Sequence, residues 1–108
     1  MLNKWCGIGR FGKDPELSTT TTGKKVCRFS LAVERKFQRE GERTTDWIDF
    51  VAWNSAEFIS KYFAKGDSIY IEGELQTNVF EGKDGKKHKH FEVVVENAEF
   101  LPGGGNRN

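Results

Sequence analysis

The stretch Asp46-Trp47-Ile48-Asp49-Phe50-Val51-Ala52-Trp53 constrains the fold most, because it carries large residues at both parities of what reads as one β-strand. Side chains alternate faces along a strand, so Ile48, Phe50 and Ala52 point one way while Trp47, Asp49, Val51 and Trp53 point the other. The Ile/Phe/Ala side is an ordinary core face. The opposite side sets two tryptophans around a carboxylate, too polar for a core and too aromatic for an idle surface. Flat rings on an open sheet are what unpaired nucleobases stack on. The competing reading is a second core layer or half of a subunit contact, since aromatics are mostly buried and are enriched at interfaces.

With 108 residues, 36% of them hydrophobic, the chain has enough apolar material for one core and no room for a second. It contains no run of eighteen apolar residues, so no membrane span is expected. Met1-Leu2-Asn3-Lys4-Trp5 lacks the apolar stretch of a secretory signal, and a cytoplasmic protein is the expectation. Cys6 and Cys27 are too few for a disulfide framework and form no C-x-x-C pair, so both read as buried thiols in strands.

A net charge of +1 conceals a strong asymmetry. Residues 1–39 hold nine Lys/Arg against three Asp/Glu, residues 40–80 hold three against eight, and the remainder cancel. Only this local distribution bears on nucleic-acid binding. Lys24-Lys25, in a turn, reads as solvated charge. Arg35-Lys36-Phe37-Gln38-Arg39 sets an aromatic among bases, as a strand-tracking surface requires.

The chain divides into short strands. Lys4 to Phe11 is a first strand, with Gly7 and Gly9 where it bends or is closely approached, and Gly12-Lys13-Asp14-Pro15-Glu16 ends it in a turn. Val26 to Glu34 alternates cleanly, with Cys27, Phe29, Leu31 and Val33 on one face. Gln38 to Thr45 reads as a polar hairpin loop into the strand at 46–53. Asn54 with Glu57 three residues on suggests a capping box, and Ala56, Ile59 and Phe63 give a helical inner stripe that Gly66 would cap. Ser68 to Thr77 is a fourth strand with Ile69, Ile71 and Leu75 inward and Gly73 at a corner, and Asn78 to Phe80 extends it. Lys83-Asp84-Gly85-Lys86 turns it into a fifth, from about Lys89 to Phe100.

Strand, strand, strand, helix, strand, strand with glycine-marked bends is the order of an all-β, five-stranded OB-fold barrel with one helix between strands 3 and 4. Residues 1–101 are expected to form that domain, and 102–108 a flexible glycine-rich tail.

Asn3-Lys4, Gly9-Arg10, Gly12-Lys13-Asp14-Pro15-Glu16, Phe29-Ser30-Leu31-Ala32-Val33, Trp47 to Trp53 and Lys65-Gly66-Asp67-Ser68-Ile69-Tyr70-Ile71-Glu72-Gly73-Glu74-Leu75-Gln76-Thr77 together resemble the bacterial single-stranded DNA-binding protein family. The match runs in order from Asn3 to about Leu101. It implies sequence-independent coating and protection of single-stranded DNA in replication, recombination and repair, without catalysis or cofactor. It further implies a homotetramer built as a dimer of dimers. The family's stacking positions correspond to Phe37, Trp47, Trp53 and Phe80. The cations expected to track the backbone are Arg10, Arg35, Lys36, Arg39, Lys61, Lys87 and Lys89. The subunit contact expected from the resemblance is the first strand from Lys4 to Ile8, with Trp5, Cys6 and Ile8 in it, together with Tyr70 on the outward face of the fourth strand.

Four departures stand out. Gln76, Asn78 and Val79 are neutral where family members often carry Arg or Lys; Asp49 puts a carboxylate on the binding face; Gly7 replaces an apolar residue. The family's acidic tip, which docks replication and repair proteins, has no counterpart before Asn108, so such partners are not expected. Two other readings compete: a replication accessory or RNA-binding module on the same barrel, and a metal-dependent enzyme built on His88, His90 and Glu92. The latter lacks a recognised ligand spacing.

Overall fold

The computed structural model describes residues 1–36, 40–41 and 44–101. Among these residues six strands form, β1 (Trp5–Phe11), β2 (Glu16–Thr19), β3 (Lys25–Glu34), β4 (Thr45–Ala52), β5 (Ser68–Glu81) and β6 (Lys87–Glu99), with one helix, α1 (Ala56–Tyr62). Their order is β1-β5-β6-β4-β3-β2, and β1 also pairs with β3. That last pairing closes β1, β5, β6, β4 and β3 into a five-stranded barrel. The β4–β6 contact is parallel and the others are antiparallel. This is the OB arrangement, and α1 lies between the third and fourth barrel strands as expected from the chain order.

The short β2 was not anticipated. Its four residues are all exposed, so it carries no apolar periodicity, and it exists as a flap paired to β3 from Glu16↔Arg28 to Thr19↔Lys25. The connecting turn needs Gly23 at φ +88°, with its N–H donating to the Thr20 carbonyl at 2.9 Å.

Core packing centres on phenylalanines. Phe29 and Phe50 stack at 5.2 Å with planes 5° apart, and Phe11 lies 5.2 Å from Phe29 and 5.7 Å from Phe63. Each such pair contributes about 0.5–1.5 kcal/mol beyond the area it buries. Leu31, Ile59, Ile69, Ile71 and Val93 complete a core with no exposure.

In β1 the inward parity is Trp5, Gly7, Gly9 and Phe11. Trp5 was expected at the subunit surface. Instead it turns inward, its ring edge-on to Phe50 at 5.2 Å, and folds back over Gly7 so that a Cβ there would lie 2.7 Å from its Cη2. The missing apolar side chain at position 7 is thus replaced by the neighbouring indole. Cys6 points outward and is exposed, contrary to expectation, whereas Cys27 is buried.

Three further expectations fail locally. Helix α1 is preceded by Ser55, not Asn54, and no side chain caps it. It ends at Phe63 in extended backbone, and Gly66, at φ +93°, serves the following turn. That turn is tied to the barrel: the Gly66 N–H donates to the Phe11 carbonyl at 2.9 Å, and the Lys65 N–H to Asp14 Oδ1 at 2.8 Å. Leu75 is 42% exposed because β5 and β6 run past the end of the barrel as a two-stranded ribbon. Gly73 behaves as expected, sitting at a bulge in the β5–β6 ladder with the Val94 carbonyl packed where a Cβ would go. The expected tail at 102–108 and positions 37–39 and 42–43 of the loop after β3 fall outside the described residues. Among the described residues no helix is long and apolar enough to cross a membrane.

Candidate nucleic-acid interface

Directly paired residues on neighbouring strands share a face. The registers therefore assemble the outer surface of the barrel from Arg28, Ser30 and Ala32 on β3, Trp47, Asp49 and Val51 on β4, His88, His90 and Glu92 on β6, and Gln76, Asn78 and Phe80 on β5. Arg10 on β1 joins them through its pairing with Ala32, which itself faces Trp47.

Trp47 is 63% exposed. Its indole lies against Gly12, and the recess beside it is walled by Lys13 and Ser30. Ser30 donates its hydroxyl to Asp49 Oδ1 at 2.5 Å. His90 Nε2 stands 3.4 Å from Asp49 Oδ2 and 3.9 Å from Glu92 Oε2. Glu92 also accepts from Asn78 Nδ2 at 3.0 Å and lies 4.0 Å from Arg28. Phe80, 52% exposed, stacks on His88 with centroids 5.6 Å apart. The surface thus runs from one open aromatic through a polar patch to another.

Trp53 is 40% exposed but does not share this strip. Val51, at the intervening outer position, is buried, so the open face ends between Asp49 and Trp53. The Trp53 ring opens instead on a concavity lined by Gly23, Lys24, Lys25, Asn54 and Glu57. Lys24 and Lys25, taken from sequence as solvated charge, stand beside an exposed tryptophan.

The other anticipated cations divide. Arg35 grips Asp46 through Nε–Oδ2 and Nη2–Oδ1 bonds of 3.0 Å each, and that pair holds the Asp46 carboxyl below the usual carboxylate range. Lys61 lies on α1 with its ammonium 5.3 Å from the Tyr62 ring centre. Lys36 is exposed at the end of the described segment. Lys87 and Lys89 pair with Glu81 and Val79, on the face of the ribbon opposite Phe80. Phe37 and Arg39 lie outside the described residues. Sequence reading missed Lys13, Arg28 and Ser30 as site members. The last two have the right parity on β3, but only the register shows that they meet Asp49 and Glu92.

On another part of the surface, Cys6 and Ile8 face outward on β1, with exposed Lys4 just before it, and Ile8 pairs with Tyr70. Tyr70 donates its hydroxyl to Glu72 at 2.7 Å, a bond that pushes the phenol up to about 12. Lys4 forms an ion pair with Glu96 at 3.1 Å. The His88/His90/Glu92 alternative does not assemble: among the described residues no three His, Cys, Asp or Glu are grouped so as to hold a metal ion.

The model of the single-strand binding protein family matches residues 2–101. The chain belongs to that family. It is 40% identical over 109 residues to single-stranded DNA-binding protein 2 of Clostridium acetobutylicum, covering 99% of this chain and 82% of the relative. It is 42% identical over 103 residues to the single-stranded DNA-binding protein of Bacillus cereus, of which it spans 61%. A solved structure described as a Plasmodium falciparum SSB complex with ssDNA superposes with a TM-score of 0.77 at 28% identity, covering 92% of each chain. Family membership and the closed barrel agree.

Proposed function

We propose that this protein binds and protects single-stranded DNA, serving replication, recombination and repair in the cytoplasm at the nucleoid. The observation that carries the reading is the open outer face with Trp47 and Phe80 exposed at its two ends, in a chain of this family. Exposed rings accept any base, each stack contributing about 1–3 kcal/mol, and cations follow the phosphates. Trp47, Phe80, Trp53 and, from the resemblance, Phe37 are the proposed stacking residues. Arg10, Lys13, Lys24 and Lys25 are the nearest proposed phosphate partners, followed by Lys36 and Lys61 and, from the sequence alone, Arg39. Arg35 is committed to Asp46, and Lys87 and Lys89 face away from Phe80.

Assembly into a tetramer, as a dimer of dimers through Lys4, Cys6, Ile8 and Tyr70, is proposed on the family's habit and on the exposure of Ile8 beside Tyr70. Light scattering at micromolar concentration tests it, and a monomer there would end the proposal.

The decisive test of binding is titration with oligo-dT, followed by tryptophan fluorescence. Quenching is expected, with affinity falling about 1–3 kcal/mol on Trp47→Ala and on Trp53→Ala. Parallel titrations with RNA and duplex DNA should be weaker. Parent-like binding by both variants, or preference for RNA or duplex, would overturn the reading.

A further inference from the structure

The ribbon of β5 and β6 has a second face, and it is the more basic of the two. We infer that Phe91 is a further stacking station for single-stranded DNA, with Lys89 and Lys87 holding the phosphates beside it, an inference that rests on the single-strand reading above.

The direct pairs Leu75↔Val93, Thr77↔Phe91, Val79↔Lys89 and Glu81↔Lys87 share that face. It begins in the core, where Val93 is fully buried, and runs out into solvent, with Phe91 56% and Val79 60% exposed. A single exposed apolar residue is ordinary. Here Leu75, Val79 and Phe91 make a contiguous apolar surface, with a large ring at its middle and two ammonium groups toward its outer end. Lys89 lies two residues from Phe91 on β6, about 6.8 Å along the strand, so its four-carbon stem reaches a phosphate of a base laid on the ring. Among the described residues neither Lys87 nor Lys89 is held in an ion pair, and Glu81 is the one carboxylate in these four pairs.

Charge names the occupant. On the Phe80 side the same stretch carries Gln76, Asn78, His88, His90 and Glu92, without a lysine or arginine. The charge that complements phosphate is therefore on the back of the ribbon, next to an exposed ring, as a strand-tracking surface requires. The two faces are also continuous. β1 follows β5 only as far as Gly73, and β4 meets β6 from Glu92 to Val94, so among the described residues 76–81 and 87–91 pair only with each other. Both edges of that stretch are open. A strand stacked on Phe80 can turn round the β6 edge to Phe91 without leaving the protein.

The probes are oligo-dT of about 8 and about 16 nucleotides, the middle and the upper end of what one OB barrel holds, titrated by tryptophan quenching. Phe91→Ala should bind the longer oligomer about fivefold more weakly or worse, the loss of one base stack, and the shorter one like the parent. The shorter oligomer thus serves as the check that the variant is folded. Phe91→Tyr, which keeps a ring to stack on, should bind both like the parent. Lys89→Ala should lower the log–log salt slope with the longer oligomer by about 0.7, the share of one phosphate, and leave it unchanged with the shorter. No loss with Phe91→Ala, or an equal loss on both lengths, would overturn the inference. So would a Phe91→Ala effect confined to association between copies in light scattering, which gives this face to a protein contact. In each of those cases quenching of the parent by the shorter oligomer leaves the single-strand reading standing, whereas failure of the parent to bind either length would overturn both.

Discussion

Gly12 and Trp47 are in mutual contact: a Cβ on Gly12 would sit 2.6 Å from both Cη2 and Cζ3 of the indole. The turn after β1 therefore sets the position of the ring. A side chain at position 12 would displace an exposed aromatic and leave the core untouched. Gly12→Ala should weaken single-strand binding several-fold and shift tryptophan emission, while costing under about 1 kcal/mol in stability by urea denaturation. Unchanged affinity would mean that the ring's rest position is immaterial to stacking.

Arg35 and Asp46 offer a second test. Releasing the arginine with Asp46→Ala should add a cation facing the phosphates, steepening the log–log salt dependence by about 0.7. The pair also has a pH signature. The folded-state carboxyl is depressed by the arginine's hydrogen bonds, so its stabilisation is present above the unfolded value and lost as pH falls through the folded one. The gap in melting temperature between parent and Asp46→Asn should be complete at neutral pH and close in strong acid.

On the β5–β6 ribbon, Gln76 and Asn78 share the Phe80 face and Val79 does not. With oligomers too short to round the ribbon, Gln76→Arg with Asn78→Arg should steepen the salt slope by about one unit or more, and Val79→Arg should leave it near the parent value. Equal effects from both faces would show that the ribbon does not present one side to a short strand.

Gly73→Ala should be the most damaging small substitution in the sheet. The added methyl collides with the Val94 carbonyl and the Val93 side chain, neither of which is a flexible end. A loss of about 1–3 kcal/mol in denaturant titration is expected, with binding per folded molecule retained.

Burial pushes the Cys27 thiol up to about 11. At pH 8 it should resist a thiol reagent until the protein is unfolded. Rapid labelling of Cys27 would place it nearer solvent than the barrel allows.

Much of this molecule was legible in its residue order because local chemistry and burial agree there. The alternation over Cys27, Phe29 and Leu31 and the glycine at 73 each report a physical constraint that acts within a few residues. What stayed hidden depends on partners distant in sequence. β2 has no buried residue to mark it and forms only because β3 offers a free edge. Trp5 was misread because the space it fills is made by Gly7 and Phe50. The link from Ser30 to Asp49 and His90 needs a register spanning three strands, which no periodicity encodes.

The barrel's closure has a dynamic consequence. β1 and β3 meet at two register positions, Arg10↔Ala32 and Phe11↔Leu31, whereas β3 and β4 share eight. With three positions joining β4 to β6, these two short seams are where the ring should open before its longer ladders give way, as local unfolding favours the least bonded contacts. Arg10 and Ala32 lie on that seam and Trp47 lies one strand beyond it. A ligand spanning Arg10 and Trp47 would bridge the β1–β3 seam and act as a clasp that keeps the ring shut.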